Sequence, residues 1–202
     1  MKPIVGMIGL GIMGGAMAGA LIDAGYRVVG TDVRAPARTR LRRAGGRPLG
    51  ASTDVADEAE VMITSLPSVA ALDAVAAEIS TSRKGRRRAI VIETSTLPIA
   101  DKERASAALA RVGIAVLDCP ISGTARRLKE GNWTMFVSGT PEAARKARPV
   151  LAIFTRNAPY VGAFGNGSKM KFIANHLVAI YNVSVGESLT FARRMGLDAG
   201  QV

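Results

Sequence analysis

A chain of 202 residues has room for one large domain, or for one domain and part of another. It is 48% hydrophobic but only 4% aromatic, a set of small and branched residues that suits layered helices and parallel strands rather than an all-β sandwich. The net charge of +11 admits nucleic acid, anionic small molecules or an arginine-rich solvated surface as its reason.

The basic residues gather at Arg34 to Arg47 and at Arg83 to Arg88. Neither cluster has interleaved aromatics on which bases stack, which argues against specific nucleic-acid binding. Cys119 is the only cysteine, so no disulfide forms within the chain. The opening MKPIVGMIGLG is broken by glycine and lacks a cleavage pattern, and no apolar run reaches membrane-spanning length. A cytoplasmic protein away from membranes is the expectation.

Pro3 to Ile8 reads as a buried parallel strand. Gly9-Leu10-Gly11-Ile12-Met13-Gly14 follows, then helix-forming residues to Ala24, with Gly25 as the stop. A second strand runs from Tyr26 to Thr31 and ends at Asp32. This is a G-x-G-x-x-G fingerprint in its complete βαβ setting. Gly9 permits the tight turn, Gly11 lets a pyrophosphate approach the backbone, and Gly14 lets helix and strand pack closely. The helix N-terminus then offers free N–H groups to the phosphates. Asp32 is placed to bind ribose hydroxyls and to repel a 2′-phosphate, which favours NAD. Arg34, Arg38 and Arg40 keep NADP open, although a solvated helix face accounts for them better.

Strand-like and helix-like segments then alternate. Strands are expected at Val61 to Ser65, Ala89 to Glu93 and Ile114 to Leu117, and helices at Val69 to Ile79 and Pro98 to Val112. Two further strands, Trp133 to Val137 and Ala158 to Val161, flank a helix at Pro141 to Leu151. Polar, glycine-containing segments recur after the strands, where ligands bind in open α/β sheets. A long helix opens at GNGSKMKFIANH, and Asp198 caps a further helix after it. On the long helix Lys171 and Asn175 stand one turn apart and point the same way. They read either as a pair that holds and deprotonates a hydroxyl or as an exposed stretch of an amphipathic helix.

In order along essentially the whole chain, GLGIMGGAMA, GTDV, TSLPS, ETST, DCPISGT, GNWTMFVSG and GNGSKMKFIAN resemble the β-hydroxyacid dehydrogenase family. The resemblance implies a Rossmann-type, doubly wound and mostly parallel sheet over 1–165. It implies an interdomain helix and the start of an all-helical domain over 166–202. That domain commonly makes the dimer in the family, so a homo-oligomer is implied with it. Leu66 and Pro67 would line the cofactor path, and Thr96 would meet the cofactor near the nicotinamide ribose. Ser122, Gly123 and Thr124 would form the loop that holds a substrate carboxylate. Lys171 would be the catalytic lysine and Asn175 the residue that orients substrate.

The implied activity is hydride transfer between NAD or NADP and a small 3-hydroxy acid or its oxo counterpart, with a lysine as general acid and base. No cluster of residues has metal-ligand spacing. Thr124 stands where the family has a second glycine, Cys119 where alanine is usual, and His176 where a second asparagine is common. Cys119 reads as a small core residue. The alternatives are an imine reductase, which carries a different residue at position 171, and a non-catalytic dinucleotide-binding module.

Overall fold

The computed structural model describes residues 2–82, 89–125, 133–155 and 157–202. The second basic cluster, Arg83 to Arg88, lies outside them. Strands β1 (Val5–Ile8), β2 (Val28–Thr31), β4 (Val61–Thr64) and β5 (Ile90–Glu93) are buried along their whole length, and β6 (Ala115–Asp118) over its second half. Their near-continuous apolar sequences fit strands covered on both faces. With β3 (Arg47–Pro48) they form one sheet in the order β3-β2-β1-β4-β5-β6, and every pairing is parallel.

Two cores cover the sheet, one per face. Helices α1 (Ile12–Asp23), α2 (Ala35–Arg43) and α6 (Pro141–Leu151) bury Met17, Leu21, Leu41 and Val150 in one. Helices α3 (Ser52–Glu58), α4 (Val69–Ser80) and α5 (Ile99–Ala110) bury Val55, Leu72, Ile79 and Leu109 in the other. The chain crosses from β1 to β2 on one side and returns to β4 on the other, which makes the β1–β4 boundary a topological switch point. Ile8 pairs with both Thr31 and Thr64, so Gly9 to Gly14, Asp32 and Ser65 to Pro67 leave the sheet along one edge.

Several elements differ from expectation. The second strand starts at Val28 rather than Tyr26; Tyr26 is buried, and its hydroxyl donates to Pro149 O at 3.2 Å. The strand expected at Trp133 to Val137 shrinks to β8 (Thr134–Met135), paired antiparallel with β7 (Ile121–Ser122). Ala158 to Val161 makes only an isolated bridge, Val137 with Tyr160, in a segment where Pro159 has no N–H to give a ladder. After Asp198 there is a turn in place of a helix: the side chain accepts Gly200 N–H at 2.9 Å and the carbonyl accepts Gln201 N–H at 3.0 Å.

Helix α7 (Asn166–Arg194) closes the chain. Its 29 residues give a rod about 44 Å long. Only its first turn is inserted in the domain, where Gly167 and Ser168 are buried. Beyond that turn Met170, Ile173, Leu177, Ile180, Tyr181 and Val183 are exposed. Among the described residues, no helix is long and apolar enough to cross a membrane.

Candidate dinucleotide site and proton-transfer helix

The glycine turn has the geometry its spacing demands. Gly9 sits at φ +89°, a conformation that side chains resist. A Cβ on Gly14 would be driven into the Gly9 carbonyl, so the start of α1 can lie against the turn only with glycine there. Gly11 is different: a Cβ would make only an ordinary contact, with Arg34 Nη2 at 3.6 Å, and no backbone lies over it within 4 Å. Gly11 also occupies the N-cap of α1 without a side-chain cap, and no acid follows in the first turn. The N–H groups there remain available to an anion, and the residues present fit a pyrophosphate. Gly14→Ala is expected to cost about 1–3 kcal/mol in urea unfolding. It should weaken NADH binding further than that loss alone explains, as read by NADH fluorescence.

Asp32 leaves the end of β2 beside this turn. Its Oδ2 accepts Leu10 N–H at 2.7 Å, and its Oδ1 accepts Arg34 N–H at 2.8 Å and Arg34 Nε–H at 3.2 Å. Burial pushes the Asp32 carboxyl up, but the Arg34 and Leu10 hydrogen bonds and the Arg34 charge outweigh it and hold the pKa below the usual carboxylate value. Arg38 donates to the Asp32 carbonyl through Nη1. Of the three arginines near the ribose position, Arg34 is therefore engaged with the acid itself. Leu10 points into the core, so only its backbone serves the turn, whereas Ile12 is exposed and Met13 half-buried.

Leu66 and Pro67 follow β4, and Thr96 follows β5, on the same edge. Leu66 N–H donates to Ser95 Oγ at 2.8 Å, which ties these two loops together. Pro67 and Thr96 are exposed there.

The lysine helix begins next to β6. A Cβ on Gly167 would lie 2.5 Å from Phe136 O and 2.6 Å from Asp118 O, so glycine sets how closely α7 approaches. Lys171, one turn on, is half-buried, and this loss of water pulls its pKa below the ordinary lysine value. Asn175 and His176 are exposed. Ser122 lies in β7, and Gly123 and Thr124 follow it on the surface. Their loop rests on Trp133, whose indole N–H donates to Thr124 O at 2.7 Å. Among the described residues no hydrogen bond joins Lys171 or Asn175 to this loop. Cys119 is fully buried, and that burial pushes its thiol far up, as a core residue requires.

One cluster of buried charged side chains was not legible in the sequence. Glu93 and Asp118 end adjacent parallel strands in register, which sets two buried carboxylates side by side. Lys102, from α5, reaches between them. Its ammonium lies 2.7 Å from Glu93 Oε2, pairs with Asp118 Oδ1, and donates to Ser95 O at 3.0 Å and Ser168 Oγ at 3.2 Å. The Glu93 Oε2 contact is an ion pair, and among the described residues no hydrogen bond of regular geometry reaches that oxygen. Burial pulls the Lys102 pKa down, but the charges of Glu93 and Asp118 outweigh it and leave the pKa raised. The sequence shows an acid at the end of each strand, but only the pairing of β5 with β6 sets the two side by side. Among the described residues, no group of three or more His, Cys, Asp or Glu is placed to hold a metal ion.

A doubly wound parallel sheet with this turn at its switch point, a bare helix N-terminus above it and an acid on the next strand defines a dinucleotide-binding α/β domain. Residues 4–162 match the family model of the NAD-binding domain of 6-phosphogluconate dehydrogenase, and the chain belongs to that family. The mitochondrial 3-hydroxyisobutyrate dehydrogenase of Homo sapiens is 32% identical over 198 residues, 98% of this chain and 59% of that protein. The chain thus spans about three fifths of that relative's length. The structure of Mycobacterium tuberculosis 3-hydroxyisobutyrate dehydrogenase with L-serine superimposes with a TM-score of 0.92 at 27% identity, over 98% of this chain and 68% of that one. An imine reductase from Myxococcus stipitatus shares the fold, with a TM-score of 0.89 at 19% identity over 98% of this chain and 68% of that one, a likeness of architecture alone.

Proposed function

We propose that this chain is the cofactor and proton-transfer portion of an NAD-dependent 3-hydroxy acid dehydrogenase. The observation that carries the reading is the placement of Lys171. It is half-buried on a helix whose first turn is packed against the strand end leading into Ser122-Gly123-Thr124. The nicotinamide, when bound, supplies the hydride acceptor. The backbone of Gly9 to Gly14 holds the pyrophosphate, Asp32 the adenosine ribose, and Leu66, Pro67 and Thr96 flank the cofactor. Ser122, Gly123 and Thr124 bind the substrate carboxylate, and Asn175 orients the hydroxyl. Neutral Lys171 takes the hydroxyl proton as the carbon–hydrogen bond gives up its hydride and the carbonyl forms. In the reverse direction its ammonium returns the proton. A panel of small 3-hydroxy acids, including 3-hydroxyisobutyrate and L-serine, assayed by NADH formation tests this. No turnover with any of them, alongside reduction of cyclic imines, would reverse the assignment.

The preference for NAD rests on Asp32. Its carboxylate binds two ribose hydroxyls but repels a 2′-phosphate. With Asp32→Ser the Arg34 guanidinium loses its acid, and the NADH-to-NADPH affinity ratio should fall roughly ten- to a hundredfold, the worth of charged hydrogen bonds. Thermal shift with each cofactor reads the change. A wild type that prefers NADPH would contradict the assignment.

A second reading is favoured by the bare apolar face of α7, which is expected to take further helical polypeptide as its cover. On that reading the 202 residues bind dinucleotide without turning substrate over until the cover is supplied, and a homo-oligomer forms through it. NADH binding with no turnover is its expected signature.

A further inference from the structure

Helix α7 is capped from outside itself. Gly165 at its N-cap has no side chain to offer, and no acid follows in the first turn. Residues far away in sequence take the free N–H groups: Ser138 Oγ accepts Gly167 N–H at 3.0 Å, and Asp118 Oδ2 accepts Ser168 N–H at 2.7 Å. Ser168 returns its hydroxyl to Asp118 Oδ1 at 2.8 Å. The Ser138 hydroxyl faces Asp118, whose carbonyl and Oδ2 lie at 3.1 and 3.2 Å. Lys102 holds Asp118 Oδ1 from the other side. Asp118 and Ser138 are 0% exposed, and Lys102 and Ser168 1%.

This turn is where the domain grips the helix. After Ser168 the next buried residue in α7 is Ala192. Lys171 stands three residues beyond Ser168 and four beyond Gly167, on the face those two residues present. Whatever fixes the capped turn therefore fixes where the lysine amine stands.

We propose that Asp118 and Ser138, with Lys102 locking the carboxylate, are positioning residues that seat the first turn of α7 and thereby place Lys171 for proton transfer. The proposal rests on the reading of Lys171 given above. A cap drawn from the ends of the sheet ties the lysine to the same edge that carries the dinucleotide turn. A cap from within α7 would leave the helix free to tilt against that edge.

Ser138→Ala is the sharpest test because it removes the acceptor for Gly167 N–H, and the hydroxyl that donates to Asp118, without changing any charge. The full 202-residue chain is compared with the variant by amide hydrogen exchange, by NADH affinity and by 13C NMR of reductively methylated Lys171. Exchange over 167–171 should quicken roughly five- to tenfold, the equivalent of one lost hydrogen bond, with the sheet unaffected. The Lys171 titration midpoint should rise toward that of a solvated lysine, and NADH affinity should stay within about twofold. Ser168→Ala, which removes the hydroxyl bond to Asp118 and the acceptor for Lys102 but keeps Ser168 N–H on Asp118, should shift both readouts the same way by less. If Ser138→Ala does not fold, that variant decides.

Faster exchange everywhere, or a Lys171 midpoint that does not move, would overturn the proposal. Neither readout needs turnover. A Lys171→Ala chain with unaltered turnover would remove the proton-transfer role, while the exchange and titration results would still decide whether the cap seats the helix.

Discussion

Replacing Lys171 by alanine is expected to slow hydride transfer by about 10²–10⁴-fold, the usual worth of a general base, with NADH affinity nearly unchanged. The two effects separate because Lys171 lies on α7 while the dinucleotide turn lies between β1 and α1. Stopped-flow NADH formation from 3-hydroxyisobutyrate, paired with NADH fluorescence titration, measures both. The sign of the pH dependence follows from the lysine's surroundings. Partial burial lowers its pKa, so the neutral amine, the form a proton acceptor requires, is present at a lower pH than a solvated lysine would allow. Oxidation should therefore rise with pH and level off above that pKa. Reduction needs the ammonium and should fall over the same interval. Lys171→Ala removes both limbs, and a variant that keeps the wild-type profile would exclude the role.

What the sequence made legible and what it did not divide along physical lines. The βαβ unit was readable because its constraints are local: glycines at fixed spacing, a buried strand on each side, and an acid at the second strand's end. Helix α2 was legible only as a basic helix face, and its neighbours were not. The stretch from Ala35 to Glu58 is short, rich in arginine and weakly apolar, and β3 is only two residues long, so neither period nor propensity marks it. The two segments that flank α6, Trp133 to Val137 and Ala158 to Val161, misled in the opposite way. Their residues favour strands, but β8 closes after two residues and the partner segment contains Pro159. Lys102 illustrates a third case. In the run Asp101-Lys102-Glu103-Arg104 it reads as one charge among several on a helix surface, yet it is 1% exposed, while Arg104 beside it pairs with Asp73 and Asp101 on the surface. Only the pairing of β5 with β6 brings together the two acids that draw it inward.

Lys102→Met carries the largest expected loss of stability, about 3–5 kcal/mol, because it leaves two neighbouring buried carboxylates with no cation between them. The methionine fills much of the space, so the loss reports charge more than cavity. Trp133, the only tryptophan and a buried one, gives a fluorescence readout of urea unfolding. Adding Glu93→Gln to Lys102→Met should recover part of the loss, since one carboxylate is then neutral and Asp118 keeps its bonds to Ser168. Asp118→Asn in place of Glu93→Gln should recover less, because it also weakens the cap on α7. The wild type adds a linkage test. The folded pKa of Lys102 is raised, so its contribution is complete below the unfolded value of about 10.4 and is lost as pH rises through the folded value. Wild-type stability should decline over that alkaline interval, whereas Lys102→Met should lack that decline. The gap between the two proteins should therefore be constant near neutrality and narrow only above about pH 10.4. A gap under about 1 kcal/mol at neutral pH would mean that the carboxylates do not depend on Lys102, and the cluster could then neither lock Asp118 nor seat the helix.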